Sequence, residues 1–251
     1  MAERPVVLLI GGLDPSGGAG LGADIQAVTA SGAHPAPAAS LLTVQDTRAL
    51  ARMQAMAPEL VVAQAEAVLA DMRVEAIKLG ALGTAGIGRA VAELVAKYPD
   101  IPVVTDPVLA ASEGGVLAED GLMDVYRELI LPASVLATPN RSELEKLAPT
   151  DGAAELLALG LPACLVTGGE GREQRIVHEL HTSEGIELIP GGVRRAGAFH
   201  GSGCTLASAI AARIALGDAL RDAVVAGDAF VQHAIGQAFK PGRGQAVPGR
   251  W

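Results

Sequence analysis

Residues 11–24 read Gly-Gly-Leu-Asp-Pro-Ser-Gly-Gly-Ala-Gly-Leu-Gly-Ala-Asp and join the apolar run Val6–Ile10 to a helix-like pattern at about residues 17–31. A strand, a glycine-rich turn and a helix in this order let a ligand reach the backbone at a helix N-terminus. The dinucleotide fingerprint fits only in its looser form, Gly18-x-Gly20-x-x-Ala23, which starts eight residues after Ile10 and too late for a tight turn. A Walker A box is excluded because the chain has no Gly-Lys pair. The alternative is that residues 11–24 only connect the strand to the helix and bind no ligand.

The rest of the chain repeats this alternation of strand and helix. Short apolar runs with little polar alternation are typical of strands covered on both faces, so the pattern predicts a mainly parallel sheet. The predicted strands are Val6–Ile10, Ala39–Val44, Glu75–Lys78, Pro102–Thr105, Val135–Ala137 and Ala163–Thr167, and the predicted helices are 17–31, 59–72, 84–97, 117–131 and 141–158.

The pattern changes after residue 170. Arg175–Thr182 and Ile186–Pro190 predict an antiparallel hairpin at the sheet edge. Two Ala-rich helices follow, at about 203–217 and 219–239, and a polar tail begins after Lys240. We find no linker and no internal repeat, so residues 1–251 are predicted to form a single domain.

Composition limits the possible functions. Of the 251 residues 50% are hydrophobic and 19% charged, which excludes a disordered chain. The formal net charge of −9 argues against a nucleic-acid or anionic-membrane binder. One Trp, two Tyr and three Phe predict an aliphatic core, and two cysteines favour a reducing compartment. The opening apolar run of five residues is too short for a signal peptide or a membrane span, so we predict a cytoplasmic protein.

A second candidate site is Phe199-His200-Gly201-Ser202-Gly203-Cys204-Thr205, directly ahead of a helical pattern. Unpaired amides at such a helix start stabilise an anion or a transferring phosphoryl group. The same position predicts a lowered pKa for the Cys204 thiol. The alternative is a helix start with a small buried thiol.

Polar residues also follow three predicted strands, where the carboxyl ends of parallel strands form a crevice that binds ligands. Asp106, Asn140 and Glu143 offer oxygen atoms that suit Mg²⁺ beside phosphate. For Asn140 and Glu143 the alternative is a helix capping box. The turn Thr167–Glu170 could approach a nucleotide.

Taken together, these motifs resemble those of hydroxymethylpyrimidine/phosphomethylpyrimidine kinase, a thiamine-biosynthesis family of the ribokinase-like superfamily. Each short match is weak, but seven in the right order, from residue 6 to about 235, are specific. The matching residues are Asp14–Gly20 with Ala23-Asp24, Thr43–Thr47, Ile77–Gly80, Thr105–Val108, Thr138–Asn140 with Glu143, Val166–Gly169 and His200–Leu206.

The resemblance implies a three-layer α/β/α kinase with a mainly parallel central sheet and an antiparallel edge hairpin. It also implies a homodimer, and ATP- and Mg²⁺-dependent phosphorylation of 4-amino-5-hydroxymethyl-2-methylpyrimidine, its monophosphate, or both. By position, the resemblance implies that the pyrimidine contacts Gly12, Ala19, Asp24, Gln45 and Val108. It implies that the anion hole for the γ-phosphate is formed by Gly201, Ser202, Gly203 and Cys204. It further implies that Mg²⁺ is positioned by Asp106, Asn140 and Glu143, and that ATP lies near Thr167 and Gly169.

Three departures from the family pattern affect specificity. Ala81 stands where the family usually has Met, Ser112 lies near the place of a usual lysine, and the segment 191–199 is shorter than usual. Ala81 and the missing lysine predict a preference for the monophosphate, and the short segment predicts a more open or differently closed lid over the site. A pyridoxal kinase of the same superfamily and a non-catalytic ligand-binding homologue are the alternatives. For an alcohol acceptor, Cys204 is the first candidate to assist proton removal and Asp24 the second.

Overall fold

The computed structural model describes residues 4–110, 115, 117–168 and 174–251. These residues contain a nine-stranded sheet in the order β3-β2-β1-β4-β5-β6-β7-β8-β9. Strands β2, β1, β4, β5, β6 and β7 are parallel, while β3 at one edge and β8 and β9 at the other are antiparallel to their neighbours. The strands are β1 Val6–Leu13, β2 His34–Gln45, β3 Leu50–Ala55, β4 Val74–Leu79, β5 Val103–Thr105, β6 Leu136–Ala137, β7 Ala163–Val166, β8 Arg175–Thr182 and β9 Gly185–Val193.

Helices cover both faces of the sheet. The helices are α1 Gly20–Ala30, α2 Pro58–Asp71, α3 Ala85–Ala96, α4 Leu122–Val125, α5 Arg141–Leu147, α6 Ala153–Ala158, α7 Ser202–Ala215 and α8 Leu220–Gly236, and a π-helical turn, Tyr126–Ile130, continues α4. Strand β1 shows why the sheet needs two helical layers, because every residue from Val7 to Ile10 is buried. Val7 and Leu9 pack with α1, α7 and α8, whereas Leu8 and Ile10 pack with the other helices. The predicted three-layer architecture is confirmed.

The strand at the β3 edge was not predicted. Leu50–Ala55 alternates apolar and polar residues around Arg52 and Gln54, and none of its side chains is fully buried, so it lacks the apolar run that marks the inner strands. Strand β2 is also longer than predicted. Its first half pairs only with β1, so Pro35 and Pro37 lie where no ladder to β3 requires their missing N–H groups.

Two predicted helices are wrong in extent. The helix expected at 117–131 begins only at Leu122, after Gly121 adopts a positive φ of 79°. The helix expected at 141–158 is two helices, because Pro149 cannot continue α5 and Gly152 turns the chain with a φ of 57°. The core is aliphatic as expected, and Tyr126 is the one buried aromatic side chain among the described residues.

The parallel strands end together on one side of the sheet. Backbone hydrogen bonds continue past the strand ends, from Gly80 to Ile10, from Asp106 to Leu79 and from Thr138 to Thr105. This alignment brings residues after β1, β4, β5, β6 and β7 to one place. No helix in the described ranges is long and apolar enough to cross a membrane.

Candidate active site

A cavity of about 880 Å³ opens at the carboxyl ends of the parallel strands. It brings together the predicted anion-hole, substrate, ATP and metal residues, with the exception of Gly169, which lies outside the described residues, as does Ser112. The predicted residues that line it are Gly12, Ala19, Asp24, Gln45, Asp106, Val108, Asn140, Glu143, Thr167, Gly201, Ser202, Gly203 and Cys204. Ala81 lines it too, consistent with a role in shaping the pocket.

Asp14 organises the glycine-rich turn. Its carboxylate accepts hydrogen bonds from the amides of Ser16 (2.8 Å) and Ala19 (3.0 Å), and from the Ser16 hydroxyl (2.8 Å). The ring nitrogen Nε2 of buried His200 donates to it at 2.8 Å. Burial opposes ionisation, but these donors outweigh it and hold the pKa of Asp14 below its usual value. The turn is therefore tied to the segment ahead of α7.

The α7 N-terminus is open to the cavity. Gly201 precedes the helix with a positive φ of 78°, and no side chain caps the first turn. A Cβ on Gly201 would overlap the carbonyl oxygen of Gly18, so the two loops touch through their backbones. The uncapped amides and the helix dipole make the surface at Ser202 and Gly203 suited to an anion.

Buried charges lie beneath this surface. Lys78, at the end of β4, is fully buried, and its Nζ donates to both oxygens of Asp24 at 2.9 and 3.0 Å. The same nitrogen lies 3.9 Å from Asp106 Oδ2, and Ser208 donates to Asp24 at 2.7 Å. Burial lowers the pKa of Lys78, but Asp24, Cys204 and Asp106 raise it above its usual value, so the ammonium stays charged. Lys78 belongs to the motif Ile77–Gly80, and the sequence alone assigns it no role.

The predicted low pKa of Cys204 is wrong. Burial is the main cause that raises the pKa of this thiol, Lys78 lowers it, and the carboxylates Asp106 and Asp24 raise it, so that the pKa is about 12. The helix N-terminus does not overcome this, because the sulfur lies among buried carboxylates. The thiol is protonated at neutral pH. Cys164, the other cysteine, is buried inside β7.

Asn140 and Glu143 form the capping box that was the alternative to metal binding. The Glu143 amide donates to Asn140 Oδ1 at 2.8 Å, and the Asn140 amide donates to Glu143 Oε2 at 3.0 Å. Among the described residues no three His, Cys, Asp or Glu side chains are grouped to hold a metal ion. Asp106 is different, since its Oδ2 is buried at the cavity without a hydrogen-bond partner. One or two carboxylates beside substrate phosphate fit Mg²⁺, which keeps several waters.

The turn after β7 has support that the sequence did not reveal. The Gly168 amide donates to Nδ1 of buried His178 at 3.2 Å, and Nε2 of His178 lies 2.9 Å from Asp228 on α8. The Arg194 guanidinium donates to the Gly168 carbonyl at 3.0 Å. These contacts hold the backbone next to Thr167, which lines the cavity.

Gln45, at the end of β2, lines the cavity next to His200. Its side-chain amide nitrogen is 3.0 Å from Nε2 of His200, so the ring contacts both Gln45 and Asp14. A signal for His200 was present in the sequence, because it directly precedes the Gly-x-Gly motif. The motif alone does not indicate the contacts of the ring with Asp14 and Gln45.

Asp14→Asn is expected to lower the free energy of unfolding by about 2 kcal/mol near neutral pH, because it removes charge-assisted hydrogen bonds. Since the pKa of Asp14 in the folded protein lies below its ordinary value of 3.8, the advantage of the wild type is present above that pH and is lost as pH falls through the folded-state pKa. Urea unfolding at neutral pH and at about pH 3 measures the difference. Asp100→Asn, at an exposed position, is the control, and a difference that stays constant with pH contradicts the prediction.

Comparison of the sequence with protein families and with individual proteins points to one family. A protein-family model described as phosphomethylpyrimidine kinase matches residues 14–248. The chain is 34% identical over 257 residues to a hydroxymethylpyrimidine/phosphomethylpyrimidine kinase of Synechococcus elongatus, covering 98% of this chain and 97% of that one. It is 33% identical over 250 residues to a thiamine biosynthesis bifunctional protein of Geobacter sulfurreducens, covering 96% of this chain and 51% of that protein. The chain thus spans about half the length of this bifunctional relative.

Solved structures share the fold. Bacillus subtilis pyridoxal kinase, solved as an ADP complex, has a TM-score of 0.90 at 24% identity, covering 98% of this chain and 97% of that one. A phosphomethylpyrimidine kinase of Clostridium difficile has a TM-score of 0.79 at 25% identity, covering 93% of this chain and 100% of that one. The ribokinase-like fold expected from the sequence motifs is confirmed.

Proposed function

The chain belongs to the phosphomethylpyrimidine kinase family, and we propose that it transfers the γ-phosphoryl group of ATP to 4-amino-5-hydroxymethyl-2-methylpyrimidine, its monophosphate, or both, in thiamine biosynthesis. The observation that carries this proposal is the single cavity, which joins the uncapped amides of α7 to the glycine-rich turn and Gln45. A phosphate donor and an aromatic acceptor can therefore meet in one place. Phosphoryl transfer depends mainly on such positioning and on charge stabilisation.

The acceptor side of the cavity is formed by Gly12, Ala19, Gln45, Ala81 and Val108. A Cβ on Gly12 would lie 2.6 Å from Leu41 Cδ1, so a side chain there would have to displace Leu41, which also lines the cavity. The Gln45 amide offers a donor and an acceptor for an aminopyrimidine edge.

The donor side is formed by the α7 N-terminus and the ends of β5, β6 and β7. The amides at Gly201–Cys204 would hold the γ-phosphate while charge develops on it. Mg²⁺, when bound, neutralises phosphate charge, and Asp106, whose Oδ2 has no hydrogen-bond partner, is the residue that would face it, with Asn140 and Glu143 helping to position it. Thr167 and Gly169 would contact ATP.

The two possible acceptors need different proton chemistry. The oxygen of the acceptor forms a bond to the γ-phosphorus while the bond from that phosphorus to the β-phosphate oxygen breaks and ADP leaves. An alcohol acceptor must also give up its proton, whereas a phosphate monoester with a second pKa of about 6 is largely ionised at neutral pH. A thiol with a raised pKa stays protonated at neutral pH and cannot take up the proton, and both oxygens of Asp24 already accept from Lys78. Asp106 neighbours the thiol, and its carboxylate can take the alcohol proton only where it does not bind Mg²⁺.

Cys204→Ala is expected to reduce kcat for the alcohol roughly tenfold more than kcat for the monophosphate, less than the hundredfold or more that removal of a full general base costs. The Cys204 thiol lines the cavity and interacts with Asp106, so an alanine would leave the proton of an alcohol without this contact. Steady-state kinetics with both acceptors measure the ratio. Cys164→Ala, in the interior of β7, is the matched control. Equal losses of kcat on the two substrates would contradict a role for Cys204 in proton removal.

The proposed function is tested by ADP release from Mg-ATP with three acceptors: the hydroxymethylpyrimidine, its monophosphate and pyridoxal. Transfer to either pyrimidine above transfer to pyridoxal supports the proposal. A preference for the monophosphate is expected from the small side chain of Ala81, which enlarges the acceptor pocket. Pyridoxal as the best acceptor, or no transfer to any of the three, would overturn the substrate assignment.

We also propose that residues 1–251 act as one kinase domain in a cytoplasmic homodimer. The continuous sheet supports the single domain, and the two free cysteines support a reducing compartment. The dimer rests on the family resemblance. Light scattering on the purified protein tests it, and a monomer at working concentration contradicts it.

A further inference from the structure

The segment after α8 returns to the active site. We call residues 240–251 the C-terminal strap. Its Gly244 and Gln245 amides donate to Thr47 Oγ1 (3.0 Å) and the Thr47 carbonyl (2.9 Å), in the turn after β2. Its Ala246 carbonyl accepts from the His200 amide at 2.8 Å. The polar tail predicted from the sequence is therefore a fixed part of the fold.

The strap ends by inserting Arg250 between the two loops that line the cavity. The guanidinium donates to the Gly18 carbonyl at 2.6 Å and to the His200 carbonyl at 3.4 Å through Nη2, and to Thr205 Oγ1 at 2.8 Å through Nε. Nη1 reaches the Gly17 carbonyl (3.5 Å) and Gln26 Oε1 (3.3 Å). Three of these five acceptors are backbone carbonyls of the two loops.

Arg250 is buried, with only 2% of its surface exposed. Its hydrogen-bond partners in the described structure are neutral, whereas buried arginines are normally paired with a carboxylate. A guanidinium offers five donors in a rigid planar fork, and this geometry can join several carbonyl groups at once. The contacts thus fit a residue that fixes backbone, rather than one that forms an ion pair.

The carbonyls that Arg250 contacts belong to peptide groups of the site. The Gly18 carbonyl shares its peptide with the Ala19 amide, which donates to Asp14 at 3.0 Å. The His200 carbonyl shares its peptide with the Gly201 amide, at the start of the anion-binding surface. A cation on a carbonyl polarises the peptide and strengthens its N–H as a donor.

We propose that Arg250 is a positioning residue for phosphoryl transfer, which locks the glycine-rich turn against the start of α7 and orients the amides at Gly201 toward the transferring phosphoryl group. This inference rests on the proposed function. The residue acts through the two loops and is not itself a catalytic residue. Misplacing a site by about 1 Å can cost a hundredfold in rate, so its expected effect is large.

The kinetic test uses Arg250→Ala and Arg250→Lys in the full-length chain. Arg250→Ala is expected to lower kcat about a hundredfold with a much smaller change in KM for the acceptor, because the loops still form the pocket but hold the amides less firmly. Arg250→Lys keeps the charge without the planar fork, and its kcat is expected to lie between those of Arg250→Ala and the wild type. Millimolar ethylguanidinium is expected to restore part of the kcat of Arg250→Ala and to leave the wild type unchanged. Arg243→Ala, which removes the same charge from an exposed place on the strap, is the matched control.

A kcat of Arg250→Ala within twofold of the wild type overturns the proposal. So does a loss that ethylguanidinium does not reverse, or one that Arg243→Ala reproduces. A second measurement does not depend on turnover: hydrogen exchange of the amides in residues 15–20 and 199–205 is expected to quicken in both Arg250 variants and not in Arg243→Ala. If the wild type transfers phosphate to none of the acceptors, the proposed function fails, while unchanged exchange in these two segments overturns the role of Arg250 by itself.

Discussion

Lys78→Met is expected to lower the free energy of unfolding by about 3–5 kcal/mol, which is the largest stability effect we expect from any single substitution in the site. Methionine fills a similar volume but leaves Asp24 without its ammonium partner at 2.9 Å, and Asp24 and Asp106 are both buried. Two buried carboxylates without a cation must then be desolvated unpaired or take up protons. Urea unfolding at neutral pH measures the change.

Lys97→Met is the matched control for this experiment. Lys97 also pairs with a carboxylate, Glu66, at 3.0 Å, but both side chains are about half exposed, so the loss is expected to be small. The double substitution of Lys78→Met with Asp24→Asn is expected to be more stable than the sum of the single effects predicts, because the unpaired charge is removed. A loss for Lys78→Met as small as that for Lys97→Met, or strict additivity in the double variant, contradicts the assignment.

Much of the fold follows from the sequence, because the inner strands must be apolar on both faces. Strand β1 shows this most clearly, since Val7 and Leu9 face one helical layer while Leu8 and Ile10 face the other. The edge strand β3 was not predicted, because this requirement for apolar residues on both faces applies only to inner strands. An edge strand of this kind meets few apolar neighbours, so its composition resembles that of a loop.

The site was predictable where short motifs lie at strand ends, because parallel strands end together. Contacts between distant parts of the chain were harder to foresee. Lys78 gave a signal, since a charged residue inside an apolar strand covered on both faces requires a buried partner, but the partner, Asp24, is 54 residues away. Arg250 gave none. Its neighbours are Pro248, Gly249 and Trp251, and its contact with Gly18 joins residues that are 232 positions apart.

The prediction for Cys204 failed on the balance of two effects. A helix N-terminus lowers a thiol pKa through partial charges at the first amides. At Cys204, burial and two neighbouring carboxylates act in the opposite direction and are stronger. The sequence placed the cysteine at the helix start correctly, but the carboxylates come from α1 and from the end of β5.

Gly201→Ala is expected to reduce kcat by about a hundredfold to a thousandfold, the range seen when a donor to developing negative charge is lost. The backbone at Gly201 has a φ of 78°, and a methyl group there would overlap the Gly18 carbonyl oxygen. The start of α7 must therefore move away from the glycine-rich turn, and the amides no longer point at one place. Kinetics with saturating Mg-ATP and the better pyrimidine acceptor measure the loss.

Gly217→Ala separates this effect from simple backbone strain. Gly217 lies just after the other end of α7 with a φ of 94°, and a Cβ there would meet no atom within 4 Å. Both substitutions put alanine at a positive φ, which costs about 1 kcal/mol. Both variants are therefore expected to lose some stability, while only Gly201→Ala loses turnover. The contrary outcome is that Gly201→Ala and Gly217→Ala both keep more than a tenth of the wild-type kcat. In that case contact between the two loops does not align the anion-binding amides, and the phosphoryl group must be held elsewhere in the cavity.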